Sequence, residues 1–263
     1  MSVLAPAADD YLSFCEGLRA ICGVDLTQYR RPQMERRLRT FFERRGVTRL
    51  TDTLDRLRAD PGELDALLDR VTINVSQLWR HPEQFAHLAG EVLPELGRAG
   101  TVRAWSAGCS YGAEAFTLAA VCRTAIPATR VQILVSDIDR RMVARAREGV
   151  FCADDARGVP TATLSNGFDR VPEGWRAKAA LRAMTRFEVA DLLRVVPRAA
   201  SHDLILCRNT VIYFSGEVRD ELHRRLADSL RPGGYLVVGA TERVTSPGEI
   251  GLTPTVPFIY RKA

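Results

Sequence analysis

A glycine-rich turn and an acidic residue, each following a predicted strand, are the part of this sequence that could bind a nucleoside. The apolar run VRAWSAG leads into a turn with Gly108 and Gly112, and the chain continues into a predicted helix. Glycine permits a sharp turn and a close approach to a ligand, and a helix N-terminus presents unpaired N–H groups. The same glycines could simply close a strand-to-helix turn, because G-x-x-x-G alone is a weak signal.

The second predicted strand, VQILVSDID, ends in two candidate acceptors, Asp137 and Asp139. In doubly wound folds an acidic side chain at this strand tip hydrogen-bonds the ribose hydroxyls of a nucleotide. Asp139 could instead cap the following helix, which makes Asp137 the stronger candidate. Neither G-x-G-x-x-G nor G-x-x-x-x-G-K-S/T occurs, so S-adenosylmethionine fits this pattern better than a dinucleotide or a nucleoside triphosphate.

The elements that would position these residues alternate between strand and helix. Beyond residue 100, short apolar runs alternate with helical stretches, which predicts an α/β fold with a doubly wound parallel sheet. The predicted strands are VRAWSAG, VQILVSDID, DLILCRN, GYLVVGAT and PFIYRKA, and the predicted helices cover residues 113–125, 139–148 and 216–230, the last ended by RPGG. Residues 151–187 interrupt this alternation and predict a small inserted β-subdomain.

The N-terminal part of the chain has a different pattern, with apolar residues recurring every three or four positions, which predicts a small helical domain. These residues are Tyr11, Phe14, Leu18, Met34, Leu38, Phe41 and Phe42. Within this part, YRRPQMERRLRTFFERRG has Pro32 as a helix start, Gly46 as a stop, and arginines around its apolar stripe. A face of this kind is usually solvated.

Length and composition narrow the classes of protein. A chain of 263 residues accommodates one substantial α/β domain and a small accessory domain. The 46% hydrophobic and 26% charged composition is typical of globular proteins, and Asp9 and Asp10 interrupt any secretory signal, so we expect a cytoplasmic protein without membrane insertion. The six cysteines form no C-x-x-C pair, so no metal site is expected.

Six motifs in sequence order resemble the chemotaxis receptor methyltransferase family, the CheR type. They are TINVSQLWR, WSAGCSYGAEAFTLA, SDID, ADLL, CRNTVIYF and RPGGYLVVGATE, of which CRNTVIYF is the most specific. The resemblance implies a helical domain and linker over residues 1–75 and a class I (Rossmann-like) methyltransferase domain over residues 76–263. It also implies transfer of a methyl group from S-adenosyl-L-methionine to protein glutamates, which leaves S-adenosyl-L-homocysteine.

The resemblance assigns roles to particular residues. The positions implied to contact the cofactor are Asn74, Ser76, Arg80, Gly108, Glu114, Asp137, Asp191, Leu192, Cys207, Arg208 and Asn209. Arg80 and Tyr213 are implied to be catalytic, since a guanidinium can hold a carboxylate bidentately and a phenol donates one directed hydrogen bond. Tyr213 would face the transferred methyl group. Without the resemblance, Arg80 reads as an exposed helix charge and Tyr213 as core packing.

Several positions depart from the family pattern of N-x-T, G-C-S-T-G-E-E-P-Y-S, N-L-L and G-H-S-E. Ser76 replaces threonine, Tyr111 and Ala113 alter the glycine turn, Ala115 replaces proline, and Asp191 stands in place of asparagine. Ser76 keeps the hydroxyl, Asp191 loses an amide donor, and Tyr111 is large enough to reshape the pocket rim. These changes leave the cofactor in place but open the acceptor to another protein or a small acid, or permit a non-catalytic cofactor sensor.

The partners implied by the resemblance are methyl-accepting, chemoreceptor-like protein helices. Because such helices are rich in glutamate, the arginine-rich segment at residues 29–46 would steer toward them. A solvated face is the main alternative and a nucleic-acid contact a smaller one, since the net charge of +5 is weak evidence where nearly all basic residues are arginine, as an arginine-biased composition would give. We expect a monomer.

Overall fold

The computed structural model describes residues 9–71 and 76–263, and these form two compact units. The smaller unit comprises residues 9–71 with the segment Tyr213–Gly216, and the larger unit comprises the rest of the described chain. No helix in the described residues is long and apolar enough to cross a membrane.

The smaller unit is helical, as its apolar periodicity predicts. Its helices are α1 Asp10–Cys22, α2 Arg31–Glu43, α3 Leu54–Ala59 and α4 Pro61–Val71. Helix α1 begins where the Asp9 side chain accepts the backbone N–H groups of Tyr11 and Leu12, and it ends at Gly23, which has a left-handed φ of +81°. All seven residues of the predicted apolar stripe are buried, which confirms the interpretation.

The larger unit contains two sheets. Its strands are β1 Thr101–Ala107, β2 Arg130–Asp137, β3 Val150–Phe151, β4 Phe168–Val171, β5 Gly174–Ala177, β6 Thr185–Val189, β7 His202–Cys207, β8 Leu230–Val238, β9 Leu252–Val256 and β10 Ile259–Lys262. The main sheet has the order β6-β2-β1-β7-β8-β10-β9, and the small sheet has the order β3-β5-β4. The main sheet is parallel from β6 to β8, and β10 is antiparallel to both its neighbours. This is the predicted doubly wound fold with an inserted β-subdomain.

The site of ligand binding in such a sheet follows from its topology. The chain passes from β1 to β2 on one side and later returns to β7 on the other side of β1. A doubly wound sheet binds its ligand where the strand order reverses, at the carboxyl ends of the strands. The carboxyl ends of β1, β2 and β7 are therefore the place to look for the site.

Helices cover the main sheet and connect its strands. They are α5 Pro82–His87, α6 Leu93–Gly97, α7 Ala113–Ala125, α8 Arg140–Glu148, α9 Thr161–Gly167, α10 Ala179–Arg182 and α11 Gly216–Ser229, with one π-helical turn at Leu88–Val92 between α5 and α6. Of the ten positions 113–122 in α7, nine are buried and Glu114 is not, because this helix packs against the main sheet.

The structure differs from the sequence-based expectation at two boundaries. The segment RPGG, predicted to end the last helix, lies within β8 at a shift in the register between β7 and β8, and Gly233 has a φ of +78°. The predicted insert at 151–187 also ends too late, because Thr185–Val189 pairs in parallel with β2 and forms the edge of the main sheet. Phe187 packs on Phe116 of α7, with ring centroids 5.9 Å apart.

Candidate active site

The glycine turn after β1 is shaped by hydrogen bonds to β2 and by close packing. The backbone N–H groups of Gly108 and Cys109 both donate to the carbonyl oxygen of Ser136 at 2.9 Å. Gly108 has a φ of +78°, and a Cβ atom there would lie 2.5 Å from Oγ1 of Thr210. Glycine is therefore required by both conformation and space. No side chain projects from Gly108 where the end of β1 approaches the segment after β7.

Asp137 ends β2 and lies against this turn. Its Oδ2 accepts the backbone N–H of Ser110 at 2.7 Å, and its Oδ1 accepts that of Asp139 at 2.9 Å. The residue is 8% exposed, and burial raises the pKa of its carboxyl above the ordinary value. Each carboxylate oxygen has two lone pairs, so Asp137 can hold both N–H groups and still accept ribose hydroxyls. Asp139 caps α8, as predicted, by accepting the backbone N–H of Arg141.

Arg208 forms the centre of a buried polar cluster. Its Nε donates to Oε1 of Gln84 at 2.7 Å, its Nη2 to the carbonyl oxygen of Arg80 at 2.6 Å, and its Nη1 to Oε2 of Glu114 at 3.2 Å. Oε1 of Glu114 accepts the hydroxyl of Ser106 at 2.7 Å. Arg208 and Glu114, with side chains 3% and 12% exposed, thus form one ion pair. Sequence reasoning missed Gln84, which belongs to no motif.

The backbone on either side of Arg80 is fixed. The backbone N–H of Trp79 donates to Oγ1 of Thr117 at 3.1 Å, and the Trp79 ring stacks on Phe85 with centroids 5.9 Å apart. Trp79 has a left-handed φ of +62°, which is uncommon for a bulky residue. With its own carbonyl held by Arg208, Arg80 occupies a defined backbone position rather than the exposed helix position of the alternative interpretation.

Asp191 and Leu192 form the turn that follows β6. Oδ1 of Asp191 accepts the backbone N–H of Leu193 at 2.9 Å, and its carboxylate lies 3.4 Å from Nε of Arg194. Leu192 is buried. Arg225 of α11 donates to the carbonyl oxygens of Leu192 at 2.7 Å and Leu193 at 3.0 Å. The carboxylate that stands in place of the family's asparagine therefore shapes its own turn.

Glu242 organises the segment after β7, although sequence reasoning did not assign it a role. Its Oε2 accepts the backbone N–H groups of Asn209 and Gly239, both at 2.7 Å, and its Oε1 accepts that of Ile212 at 3.2 Å. It is 3% exposed, and burial raises the pKa of its carboxyl. Glu242 is the last residue of the motif RPGGYLVVGATE, which could have indicated it from the sequence.

Cys207, just before the segment that follows β7, is fully buried, and burial raises the pKa of its thiol.

Tyr213 belongs to the smaller unit. Its carbonyl oxygen accepts the backbone N–H of Arg30 at 3.0 Å, and the guanidinium carbon of Arg37 lies 5.3 Å from the centroid of its ring. The following residue, Phe214, forms an isolated antiparallel bridge with Tyr29. The catalytic role of Tyr213 that the resemblance implies stays a prediction.

The remaining predicted positions divide between described and undescribed parts of the chain. Asn74 lies outside the described residues. Ser76 is half-buried, and its carbonyl oxygen contacts the hydroxyl of Tyr111. Within residues 9–71 and 76–263, no group of three histidine, cysteine, aspartate or glutamate side chains could hold a metal ion.

The residues at the carboxyl ends of β1, β2 and β7 fit S-adenosylmethionine. The cofactor offers ribose hydroxyls as donors and carries a cationic sulfonium and an ammonium. Asp137 is buried at the end of β2, and Glu114, with its side chain 12% exposed, lies in the first turn of α7; both carboxylates are hydrogen-bond acceptors that carry negative charge. Gly108 leaves its side of the turn clear. These residues could bind a positively charged nucleoside better than a nucleotide with phosphate groups, because the two carboxylates would repel phosphate.

Comparison with known proteins supports the same conclusion. The CheR methyltransferase SAM-binding domain matches residues 74–255, and the CheR methyltransferase all-alpha domain matches residues 9–72. The chain is 31% identical over 255 residues to a chemotaxis protein methyltransferase of Listeria innocua, covering 96% of this chain and 97% of that protein. It is 30% identical over 272 residues to chemotaxis protein methyltransferase 1 of Pseudomonas aeruginosa, covering 98% and 99%.

Proposed function

Because this chain belongs to the CheR methyltransferase family and uses S-adenosylmethionine, we propose that it forms methyl esters on glutamate side chains of chemoreceptor-like proteins. The observation that carries the proposal is the position of Asp137, a buried carboxylate at the end of β2 whose Oδ2 accepts the backbone N–H of Ser110 in the glycine turn. The family supplies the reaction class, and the remaining acceptor capacity of Asp137 supports the proposed position of the cofactor.

The proposed reaction requires no proton transfer by the protein. S-adenosylmethionine supplies a methyl group on a cationic sulfur, which a carboxylate can displace in line. A glutamate with a pKa of about 4.3 is ionised at neutral pH, so the acceptor needs no general base. The residues of this chain therefore act by alignment, by excluding water and by placing charge.

The proposed roles combine the contacts of Asp137, Glu114 and Arg208 with the family resemblance, which suggests Arg80 and Tyr213. Asp137 accepts the ribose hydroxyls. Glu114 faces the positively charged end of the cofactor, and Arg208 holds the Glu114 carboxylate in place. Arg80 pairs with the acceptor carboxylate, and its backbone is fixed for that task by Arg208. Tyr213 orients the acceptor through a hydrogen bond from its hydroxyl.

The basic surface of α2 supports a glutamate-rich partner, although it is smaller than the sequence suggests. Arg31 and Arg39 both pair with Glu35, at 3.2 Å and 2.7 Å. Arg36 and Arg44 are exposed and lie on or just after the same helix. These two arginines are the ones we propose for contact with an acidic helix, because exposed charges steer association through their long-range field.

The direct experiment measures transfer of a tritiated methyl group from S-adenosylmethionine into a panel of glutamate-rich receptor helices. Release of volatile methanol in base identifies a carboxyl ester. Helices with the acceptor glutamates changed to glutamine are the matched controls and should take up no label. Base-labile label on a small acid or an unrelated protein, with none on any receptor helix, would rule out the proposed acceptor.

A further inference from the structure

Tyr111 joins a network that the family pattern does not assign. The residue is 5% exposed, and its hydroxyl donates to Oδ1 of Asp155 at 2.8 Å and contacts the carbonyl oxygen of Ser76. The guanidinium carbon of Arg145 lies 4.0 Å from the centroid of the Tyr111 ring, and its Nη2 lies 3.5 Å from Oδ2 of Asp155. The ring centroid of Phe151 lies 6.4 Å from that of Tyr111. A phenol has one proton, so the two acceptors share a single donor.

Asp155 connects this network to the backbone before the site. Its Oδ2 accepts the backbone N–H of Cys152 at 2.9 Å, and its carbonyl oxygen accepts the backbone N–H of Leu78 at 2.9 Å. The segment before Arg80 is therefore held at two points: Ser76 contacts the Tyr111 hydroxyl, and Leu78 donates to the Asp155 carbonyl oxygen. One point depends on Tyr111, a departure from the family pattern within the glycine turn, and the other on Asp155, which lies outside the six motifs.

We propose that Tyr111 and Asp155 are positioning residues that fix the segment Ser76–Arg80 beside the glycine turn, so that Arg80 is aligned for methyl transfer. Tyr111 follows directly after Ser110, whose N–H binds Asp137, so one short stretch of chain connects the ribose acceptor to the segment that carries Arg80. Displacements of about 1 Å are enough to reduce an in-line transfer strongly. The proposal rests on the proposed function, because it takes Arg80 to be the group that meets the acceptor.

The chain offers a matched control for this pair. The hydroxyl of Tyr235 donates to Oε2 of Glu95 at 2.7 Å, and Nη2 of Arg261 lies 2.7 Å from Oε1 of the same carboxylate. The guanidinium carbon of Arg261 lies 5.9 Å from the Tyr235 ring centroid. This second group also combines a tyrosine, an arginine and a carboxylate in the same unit, with glutamate in place of aspartate, and these contacts hold no segment of the proposed site. Loss of the hydroxyl there reports on a tyrosine–carboxylate bond alone.

The test compares Tyr111→Phe with Tyr235→Phe by amide hydrogen exchange and by methyl-transfer kinetics on the full chain. In Tyr111→Phe we expect exchange at the N–H groups of Leu78 and Trp79 to be about five- to tenfold faster, since one restraining hydrogen bond is lost. We expect kcat to fall about tenfold with the KM for the receptor helix changed less than about threefold, as lost alignment acts mainly after binding. Tyr235→Phe should leave all of these values within twofold of the wild type.

Two further variants separate positioning from simple packing. Asp155→Asn keeps one carbonyl oxygen for the Tyr111 hydroxyl but sets its NH2 group against the Cys152 N–H, so it should lose less activity than Asp155→Ala, which should behave like Tyr111→Phe. Combining Asp155→Ala with Tyr111→Phe should then add little. Wild-type exchange at Leu78 and Trp79 in Tyr111→Phe, or an equal kinetic loss in Tyr235→Phe, would overturn the proposal. If the wild type methylates no receptor helix, the proposed function fails, and the exchange at Leu78 and Trp79 still decides the positioning role.

Discussion

Asp137 and Ser110 join the two halves of the proposed cofactor site through one hydrogen bond, from the Ser110 N–H to Oδ2 of Asp137 at 2.7 Å. The bond connects the end of β2 to the turn after β1, so the acidic residue that we propose as the ribose acceptor also shapes the glycine turn. A change at Asp137 should therefore affect cofactor binding by two routes.

We predict that Asp137→Ala weakens the binding of S-adenosylmethionine by about 1–3 kcal/mol, because the ribose hydroxyls lose a buried acceptor. Isothermal calorimetry measures the change. Asp203→Ala is the matched control, since Asp203 is also buried in the main sheet and accepts the backbone N–H of Arg103 at 2.7 Å. Asp203 lies near the amino end of β7. Asp203→Ala should therefore lower the free energy of unfolding and leave the affinity for S-adenosylmethionine unchanged. Equal affinities for wild type and Asp137→Ala would place the ribose elsewhere.

Arg208→Lys should destabilise the protein, because an ammonium cannot reach Gln84, Glu114 and the Arg80 carbonyl at once. The expected loss is about 1–3 kcal/mol for the buried groups left without partners. Urea unfolding measures it. Arg261→Lys provides the comparison, since Arg261 pairs with Glu95 at 2.7 Å with its side chain 47% exposed. That change should cost less than about 1 kcal/mol, as exposed ion pairs contribute little. Similar losses in the two variants would argue against the central role of Arg208.

For α2, we predict that Arg36→Gln with Arg44→Gln raises the KM for a glutamate-rich receptor helix more at low salt than at high salt. Exposed charges are screened within about 10 Å at 0.1 M salt. Cofactor affinity should stay unchanged. The control is Arg123→Gln, an exposed arginine in the last turn of α7. A double variant with wild-type KM at both salt concentrations would assign these arginines to a solvated face.

His223 of α11 should make the protein less stable in acid. Both ring nitrogens are buried without a hydrogen-bond partner in the described part of the chain, and burial lowers the pKa of the ring from 6.5 to about 4. Between these values the unfolded chain binds a proton that the folded protein does not, so stability falls as the pH drops from 6.5 toward 4. The full effect is on the order of 3 kcal/mol.

Urea unfolding of wild type and His223→Leu across this pH range tests the prediction. The variant should lose the part of the pH dependence that His223 contributes, and it should be at least as stable as the wild type at pH 5. Parallel stability curves for the two proteins would show that His223 does not titrate in this way.

Local patterns were enough for some parts of the structure and not for others. Asp137 was predictable because a strand tip and the turn beside it are encoded in two short stretches of sequence. Gln84 was not, since its partner Arg208 lies 124 positions away. Tyr111 was recognised as unusual, but its size gave no indication that its hydroxyl would turn to Asp155. The end of the insert was misplaced because residues 185–187 are assigned by their pairing with β2, a contact no local pattern contains.

The last prediction concerns the two proposed catalytic residues. Tyr213→Phe should lower turnover by only about ten- to a hundredfold, roughly 1.4–2.7 kcal/mol, because the phenol orients the acceptor and transfers no proton. Arg80→Ala should cost more, since it removes a charge from a site where such contacts are stronger than in water. Affinity for S-adenosylhomocysteine should stay nearly intact in Tyr213→Phe. Single-turnover rates at several pH values measure both variants.

The pH series also tests the assumption that the acceptor is already ionised. With a glutamate acceptor of pKa about 4.3, the wild-type rate should be flat above neutral pH. Phe41→Leu in α2 is a control for Tyr213→Phe, because Phe41 is a buried aromatic residue of the same unit and carries no hydroxyl. It should lower stability and leave the single-turnover rate unchanged. Complete loss of activity in Tyr213→Phe, or a wild-type rate that rises with a pKa near that of a phenol, would show Tyr213 acting as a base and not as an orienting donor.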